Sequence, residues 1–314
     1  MDFPFISETL SELHDCAICP RNCHADRFSE KLGYCNSSAT FNISSICIHH
    51  GEEPPISGRD GICNIFFTGC NLQCIFCQNF QISDKRFAHA VKEQSLGDVL
   101  DQIISILDKG ITSVGFVSPS HCIPQMKLII RGLHLQGYYP KIVFNTNAYD
   151  RVETIRSLEG IIDVYLPDLK YMEKRLAGDL SDASDYPEVA SATIKEMYRQ
   201  KGTALHLDDQ GKAESGVIIR HLVLPGHIEN SLKVMQHIKT EISQRIHISL
   251  MAQYFPTPQV SSHPTLKRTL SSSEYRVVTN EMEKLGLENG WIQELDSNSN
   301  YQPDFNRINP FEKG

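Results

Sequence analysis

Cys70, Cys74 and Cys77 stand at C-x3-C-x2-C spacing directly after a strand-like run that ends Phe66-Phe67-Thr68-Gly69. Thiols this close on one short loop point to metal ligation. Three thiolates can hold three irons of a cubane 4Fe-4S cluster, whereas a closed site of that kind takes four cysteines. One iron then lacks a protein ligand and is open to a small molecule. Phe76, just before the last cysteine, offers a flat apolar face for an adenine. Two other readings stand beside this one: a zinc site completed by a distant residue such as Cys63 or Cys122, or three reduced structural thiols.

A second group precedes it. Cys16, Cys19, Cys23 and Cys35 follow the pattern C-x2-C-x3-C-x11-C. Four thiols suffice for a closed tetrahedral site, either zinc or a second iron-sulfur cluster, and spacing does not choose between them. The plain alternative is that Cys16 and Cys19 pack as small hydrophobes. His14, His24, His49 and His50 lie nearby and are read as surface or satisfied core residues, not ligands.

Composition narrows the class of protein. The 314 residues are 40% apolar and 22% charged, ordinary globular values with enough apolar side chains for a large core. With 30 basic and 38 acidic residues the formal charge is -8, which disfavours a nonspecific nucleic-acid or acidic-membrane surface. The start, Met1-Asp2-Phe3-Pro4-Phe5, lacks a basic region followed by an apolar signal core, and no apolar run reaches membrane-spanning length. A cytoplasmic location is expected. Seven of ten cysteines in two tight groups fit metal ligation in a reducing compartment better than a disulfide framework.

Elements must position these groups. Glu52-Glu53-Pro54-Pro55-Ile56-Ser57-Gly58 reads as an extended connector and not a helix, because two prolines fix the backbone; Glu53 is expected as an exposed carboxylate, with a place facing the active site as the alternative. From Ile62 a β-then-α rhythm takes over. Strands are expected at 62–68, 113–117, 141–144, 161–166, 217–224 and 247–251. Between and after them fall helices near 124–135, 151–158, 187–201, 229–242 and 273–285. One more helix is well marked: Ser95 as N-cap with Asp98 three residues on, then Leu96, Val99, Leu100, Ile103 and Leu107 at helical spacing, and Gly110 as the stop. Asp179 to Tyr186 reads as a polar loop.

Six strands alternating with helices predict an α/β fold, a partial (β/α)6 TIM-like barrel with a small cysteine-rich N-terminal extension. An open doubly wound sheet is the runner-up. The division expected is an extension at 1–60 with a metal site, the barrel at 61–295 and a tail at 296–314. In such barrels the loops after the strands build the active site. The residues there are polar: Ser118-Pro119-Ser120-His121, Asn145-Thr146-Asn147, Asp168-Leu169-Lys170, Pro225-Gly226 and Gln253-Tyr254. Asp168 suits ribose hydroxyls and Lys170 suits a ligand carboxylate, although an ion pair that only ties the loop down uses the same residues. Arg220 and His221 alternate on strand five, so only one of them points inward.

The Cys70 to Cys77 loop resembles the signature of the radical S-adenosylmethionine (SAM) superfamily, C-x3-C-x-aromatic-C. The resemblance covers nearly the whole chain. Cys19-Pro20-Arg21-Asn22-Cys23, Glu53-Pro54-Pro55-Ile56-Ser57-Gly58, Arg220-His221-Leu222-Val223-Leu224-Pro225-Gly226 and Leu250-Met251-Ala252-Gln253-Tyr254 are similar to the radical SAM subgroup named after pyruvate formate-lyase activating enzyme. It implies a radical SAM type partial barrel, a 4Fe-4S cluster on Cys70, Cys74 and Cys77, SAM as cofactor, and a reductant such as flavodoxin or ferredoxin. A protein substrate that becomes a glycyl radical is implied by the subgroup name; a peptide, RNA or small metabolite is the alternative, and a non-enzymatic iron-sulfur or zinc scaffold is the rival outside enzymes. The family motif Asp-Leu-Lys is present as Asp168-Leu169-Lys170, and Asp-Thr-Asn-Gly is matched in part by Asn145-Thr146-Asn147-Ala148. The Gly-Gly-Glu that contacts the SAM amino group has no counterpart. Ser118-Pro119-Ser120 stands in its place, so the SAM-contacting set implied is Phe76, Ser118, Asn145, Thr146, Asp168 and Lys170.

Overall fold

The computed structural model describes residues 6–85, 93–295, 297 and 302–312. Nine strands occur among them: β1 (Ile43–His49), β2 (Ile62–Phe67), β3 (Ser113–Val117), β4 (Lys141–Thr146), β5 (Val164–Pro167), β6 (His206–Leu207), β7 (Ala213–Leu222), β8 (His247–Met251) and β9 (Gly290–Ile292). The sheet order is β1-β2-β3-β4-β5-β7-β8-β9, with β6 beside β7. Neighbours from β2 to β9 run parallel, while β1 pairs antiparallel with β2. The chain is an α/β partial barrel, open between the β1 and β9 edges.

Parallel pairing requires crossovers, and apolar helix faces supply them. Helix Leu96–Leu107 buries the expected stripe of Val99, Leu100 and Ile103, and its capping box is formed as the sequence predicts, with Asp98 N donating to Ser95 Oγ at 3.1 Å. Helices Ile123–Leu135, Tyr186–Lys201, Ile228–His237 and Ser272–Leu285 complete the outer layer with the short turn Val152–Arg156. Inside the barrel, Ile62, Val143, Val164 and Ile218 form an aliphatic plug with Ile56, which arrives from the loop before β2. Each such buried side chain contributes about 2 kcal/mol relative to exposure.

Several expected elements differ. Pro54–Ser57 forms one helical turn, where an extended connector is expected. The prolines occupy its first positions, where a missing N–H costs nothing. Helix Lys174–Ser181 runs into the segment expected as a polar loop, because Leu176, Ala177 and Leu180 make a buried stripe too short to stand out. β4 continues to Thr146, β5 starts at Val164, and β7 is displaced to Ala213–Leu222.

The N-terminal segment does not stand apart from the barrel: Leu10, Leu13, Ile18 and Phe41 belong to the same hydrophobic core as the outer helices. At the other end Phe311 packs on His49 and Phe66, with ring centroids 4.1 and 5.6 Å away. Residues 1–5 of the expected extension and 296, 298–301 and 313–314 of the expected tail lie outside the described residues. Among the described residues no helix is long and apolar enough to cross a membrane.

Candidate functional site

The cysteine loop leaves β2 through Gly69, which has φ +77°. A Cβ there would meet Cys35 O at 2.4 Å and Ser37 Oγ at 2.5 Å, so only glycine fits. The three sulfurs each accept a hydrogen bond. Leu72 N and Asn147 Nδ2 donate to Cys70 Sγ at 3.4 and 3.5 Å, Ser181 Oγ to Cys74 Sγ at 2.9 Å, and Ser83 Oγ to Cys77 Sγ at 3.2 Å. Such donors stabilise thiolates and tune the potential of a cluster bound to them.

Burial pushes the Cys74 thiol up to about 11, even though the Lys170 ammonium pulls it down. Cys70 and Cys77 are raised by the same cause. Deprotonation therefore accompanies metal binding. Among the described residues no three His, Cys, Asp or Glu side chains surround a single metal-ion position. A cubane takes one thiolate per iron and does not ask for that arrangement. All ten cysteines are free thiols. Phe76 is only 5% exposed and packs against Tyr171 and Tyr254, with ring centroids 6.5 and 6.4 Å away, which anchors the loop in the core.

Around the loop stand the expected strand ends. Lys170 Nζ donates to Asp168 Oδ2 at 2.5 Å, and Asp168 is bridged to Arg220 of β7. Burial alone would lower the Lys170 pKa, but the negative charges of Asp168, Cys74 and Cys77 raise it, so it stays a cation beside the sulfurs. Ser118 has φ +49°, a left-handed conformation rare for a side-chain-bearing residue, and its N–H donates to Asn145 O at 2.7 Å. Asn145 points into the barrel, its amide 3.4 Å from Glu52 Oε1.

Thr146 lies on the other face from Asn145: strand alternation turns it outward, fully buried, where Thr146 Oγ1 donates to Asp150 at 2.5 Å and lies 3.0 Å from Ser120 Oγ. Burial pushes the Asp150 carboxyl up to about 6. Ala148 occupies the place of the glycine in Asp-Thr-Asn-Gly and has its φ, +60°. The strain is held by Ala148 N donating to Thr146 Oγ1 at 3.0 Å.

Below the mouth lies a cavity of about 560 Å³ between the open edges of the barrel. Arg220 points into it, while His221 faces outward between Leu169 O and Ser231 Oγ, at 2.7 and 2.9 Å. Burial holds that histidine neutral, lowering its pKa to about 4. Arg220 Nη1 donates to Glu52 Oε2 at 2.9 Å; Glu53 and Asp168 lie 3.5 and 3.6 Å from its Nε. Glu53, expected at the surface, is 8% exposed. The helical turn at Pro54 swings the preceding glutamates inward, and Arg220 makes that burial tolerable.

The N-terminal cysteines lie near the first group, Cys35 O facing Gly69. Burial pushes the Cys19 thiol up to about 12, and the neighbouring Cys35, Cys16 and Cys23 add to this. Arg27, 1% exposed, donates to Ser37 O, Ser38 O and His121 O at 2.8, 2.8 and 2.5 Å. Its guanidinium lies 4.0 Å from Cys16 Sγ and from Cys122 Sγ, and burial, which would lower its pKa, is outweighed by the neighbouring sulfurs of Cys35, Cys122 and Cys16. Arg21 links the two groups: its Nε donates to Asn71 O at 2.7 Å, one residue past Cys70, and its guanidinium lies 3.7 Å from the Tyr34 ring centroid.

Sequence reasoning missed the sulfur donors Ser83 and Ser181, which end two separate helical segments, the donor role of Asn147, and the two arginines. An arginine inside a cysteine motif, as in Cys-Pro-Arg-Asn-Cys, was the available signal for Arg21. Nothing local marks Glu52.

No family model matches the chain. An uncharacterized protein of Methanocaldococcus jannaschii is 27% identical over 281 residues, spanning 87% of this chain and 76% of the relative. Among solved structures, a radical SAM methyltransferase from Sphaerobacter thermophilus aligns with a TM-score of 0.51 at 14% identity, over 75% of this chain and 68% of the other. A domain of pyruvate-formate lyase-activating enzyme from Bacteroides vulgatus covers 55% of this chain and 93% of its own at 15% identity, with a TM-score of 0.39, too low to bear on the subgroup. The first of these structural likenesses establishes the fold: the partial barrel found in a radical SAM enzyme.

Proposed function

We propose that the chain is a radical SAM enzyme, with Cys70, Cys74 and Cys77 as ligands of a 4Fe-4S cluster and SAM at the mouth of the barrel. The observation that carries this is the donor set at the loop: three sulfurs, each accepting a hydrogen bond from a defined donor, with the Lys170 cation beside them. When bound and reduced, such a cluster supplies one electron to the sulfonium of SAM, giving methionine and a 5'-deoxyadenosyl radical that abstracts a hydrogen atom.

The residues of the chain hold and orient. Lys170 is placed to neutralise the methionine carboxylate of SAM, and Asp168 to accept from ribose hydroxyls. Ser118 and Asn145 offer short polar groups at neighbouring strand ends, and Phe76 fixes the loop that carries the last cysteine. No side-chain nucleophile or general base is required.

Cys16, Cys19, Cys23 and Cys35 are proposed as a second metal centre, zinc or iron-sulfur; since no three such side chains among the described residues surround one position, a single zinc ion there requires the four sulfurs to draw together on binding. Arg27 supports it: a cation so buried, with thiols for its negative neighbours, is best matched by thiolates held ionised by a metal. As for substrate, the subgroup name suggests a glycine of a partner protein, and a peptide, RNA or small metabolite is the alternative. A reductant of flavodoxin or ferredoxin type is required in either case.

Anaerobic reconstitution with iron and sulfide, followed by dithionite and SAM, is the test of the activity. Methionine and 5'-deoxyadenosine in equal amounts are expected from the wild type and neither from Cys74→Ala. A protein that loads a cluster yet never cleaves SAM is a carrier or scaffold instead.

A further inference from the structure

Among the described residues, Glu52, Glu53 and Asp168 cluster in the barrel interior with Lys170 and Arg220. Asp168 is hydrogen-bonded to Lys170, and Glu52 to Arg220, so each of these pairs is close to neutral. Glu53 is the odd carboxylate. Its Oε1 lies 3.5 Å from Arg220 Nε without a hydrogen bond, and its Oε2 is buried with no partner. Yet Glu53 lines the 560 Å³ cavity, and the helical turn at Pro54–Ser57 fixes its backbone, so it cannot retreat to solvent. Burial raises the Glu53 pKa, Arg220 opposes this, Glu52 adds to it and the Ser249 hydroxyl opposes it, whereas for Glu52 the penalty of burial is outweighed by Arg220 and His49. A buried carboxylate with one oxygen left unpartnered is costly unless something compensates it. Phe66, Met251, Trp291 and Phe311 give the otherwise polar cavity wall an apolar strip that suits an apolar stem.

We infer that the barrel cavity is a binding site for a primary ammonium group on an apolar stem, which seats on Glu53 Oε2 and completes the charge balance of the Glu52-Glu53-Arg220 cluster. The ammonium is that of a substrate amine, such as a lysine side chain. A neutral ligand of the same shape leaves the carboxylate unpaired and binds more weakly.

The inference deepens the radical SAM reading, since it concerns the chamber below the cysteine loop, but it is tested by binding and not by turnover. Isothermal titration of the anaerobically reconstituted protein, with and without SAM, uses N-acetyl-lysine methylamide and n-butylamine as probes, with 1-butanol as the neutral control. Amines that bind at least tenfold more tightly than 1-butanol, and lose that margin in Glu53→Gln, indicate a substrate amine. Amines that show no margin over 1-butanol, or whose margin survives in Glu53→Gln, overturn the inference. Glu53→Asp, which keeps the charge but withdraws it by one methylene, falls between and stands in if Glu53→Gln does not fold. Because the titrations do not require SAM cleavage, a protein that seats amines yet makes no 5'-deoxyadenosine would retain this site while refuting the activity.

Discussion

The two cysteine groups present the same electrostatic demand and meet it with different cations. Beside Cys70, Cys74 and Cys77 stands Lys170, whose side chain is 19% exposed and whose one hydrogen-bond partner from the ammonium is Asp168. Beside Cys16 and Cys35 stands Arg27, locked by three backbone carbonyls. A lysine on a flexible stem at a cavity mouth can turn to a ligand; an arginine fixed in a fork of carbonyls cannot. That contrast fits the proposal that the first group receives a ligand and the second is held. Their proximity is structural as well: Cys35 O lies against Gly69, the residue before Cys70, so neither group can shift alone.

Removing one group while keeping the other gives the largest expected effect. The Cys70/Cys74/Cys77 triple alanine variant loses all SAM cleavage but keeps a metal on the N-terminal four, measured by metal analysis. Finding no metal there would end the second-site proposal.

Exchanging the cations probes the comparison more finely. Arg27→Met strips a buried charge from its partners and is expected to lower stability by about 3–5 kcal/mol in urea unfolding. Lys170→Met should cost less than half of that, yet weaken SAM binding tenfold or more. Equal stability losses would mean that Lys170 is as structural as Arg27.

The polar network behind the mouth offers a third test. Asp150 has an unpartnered buried oxygen, and its folded pKa, about 6, lies above the ordinary 3.8. Its ionised form is disfavoured by folding, so its contribution is intact at low pH and stability is lost as pH rises through 6. Asp150→Asn should therefore stabilise at pH 8 by up to about 3 kcal/mol, with the gain vanishing below about pH 4. A gain independent of pH would show that the charge is not its cause. The smallest effect is expected at Ser181, whose hydroxyl donates to Cys74 Sγ at 2.9 Å. Its replacement by alanine should lower the reduction potential of the loaded site by on the order of 40 mV, the equivalent of about 1 kcal/mol for one electron. Redox titration of the reconstituted variant measures it.

What the sequence disclosed follows from where the signals are local. β3 and β8 were readable to the residue because their apolar runs end at polar mouths, and the Ser95 capping box carries its own start signal. β9, three residues long, owes its existence to pairing with β8 and has no pattern of its own. Which of Arg220 and His221 points inward depends on the register of a strand whose two faces are both apolar. Glu53 was misjudged because its burial rests on Arg220, which lies 167 positions away in the chain and is invisible to any local rule. The cysteines themselves announce ligation, but the serines and asparagine that donate to them are assembled by the fold.

The central claim is that three thiolates leave one iron open to SAM. Electron-nuclear double resonance on the reduced, reconstituted protein, with SAM labelled by 15N at the amino group and 17O at the carboxylate, tests it at the iron. Hyperfine coupling from both labels, lost in Cys74→Ala, is the predicted result. A loaded cluster whose spectrum is indifferent to labelled SAM would contradict the account.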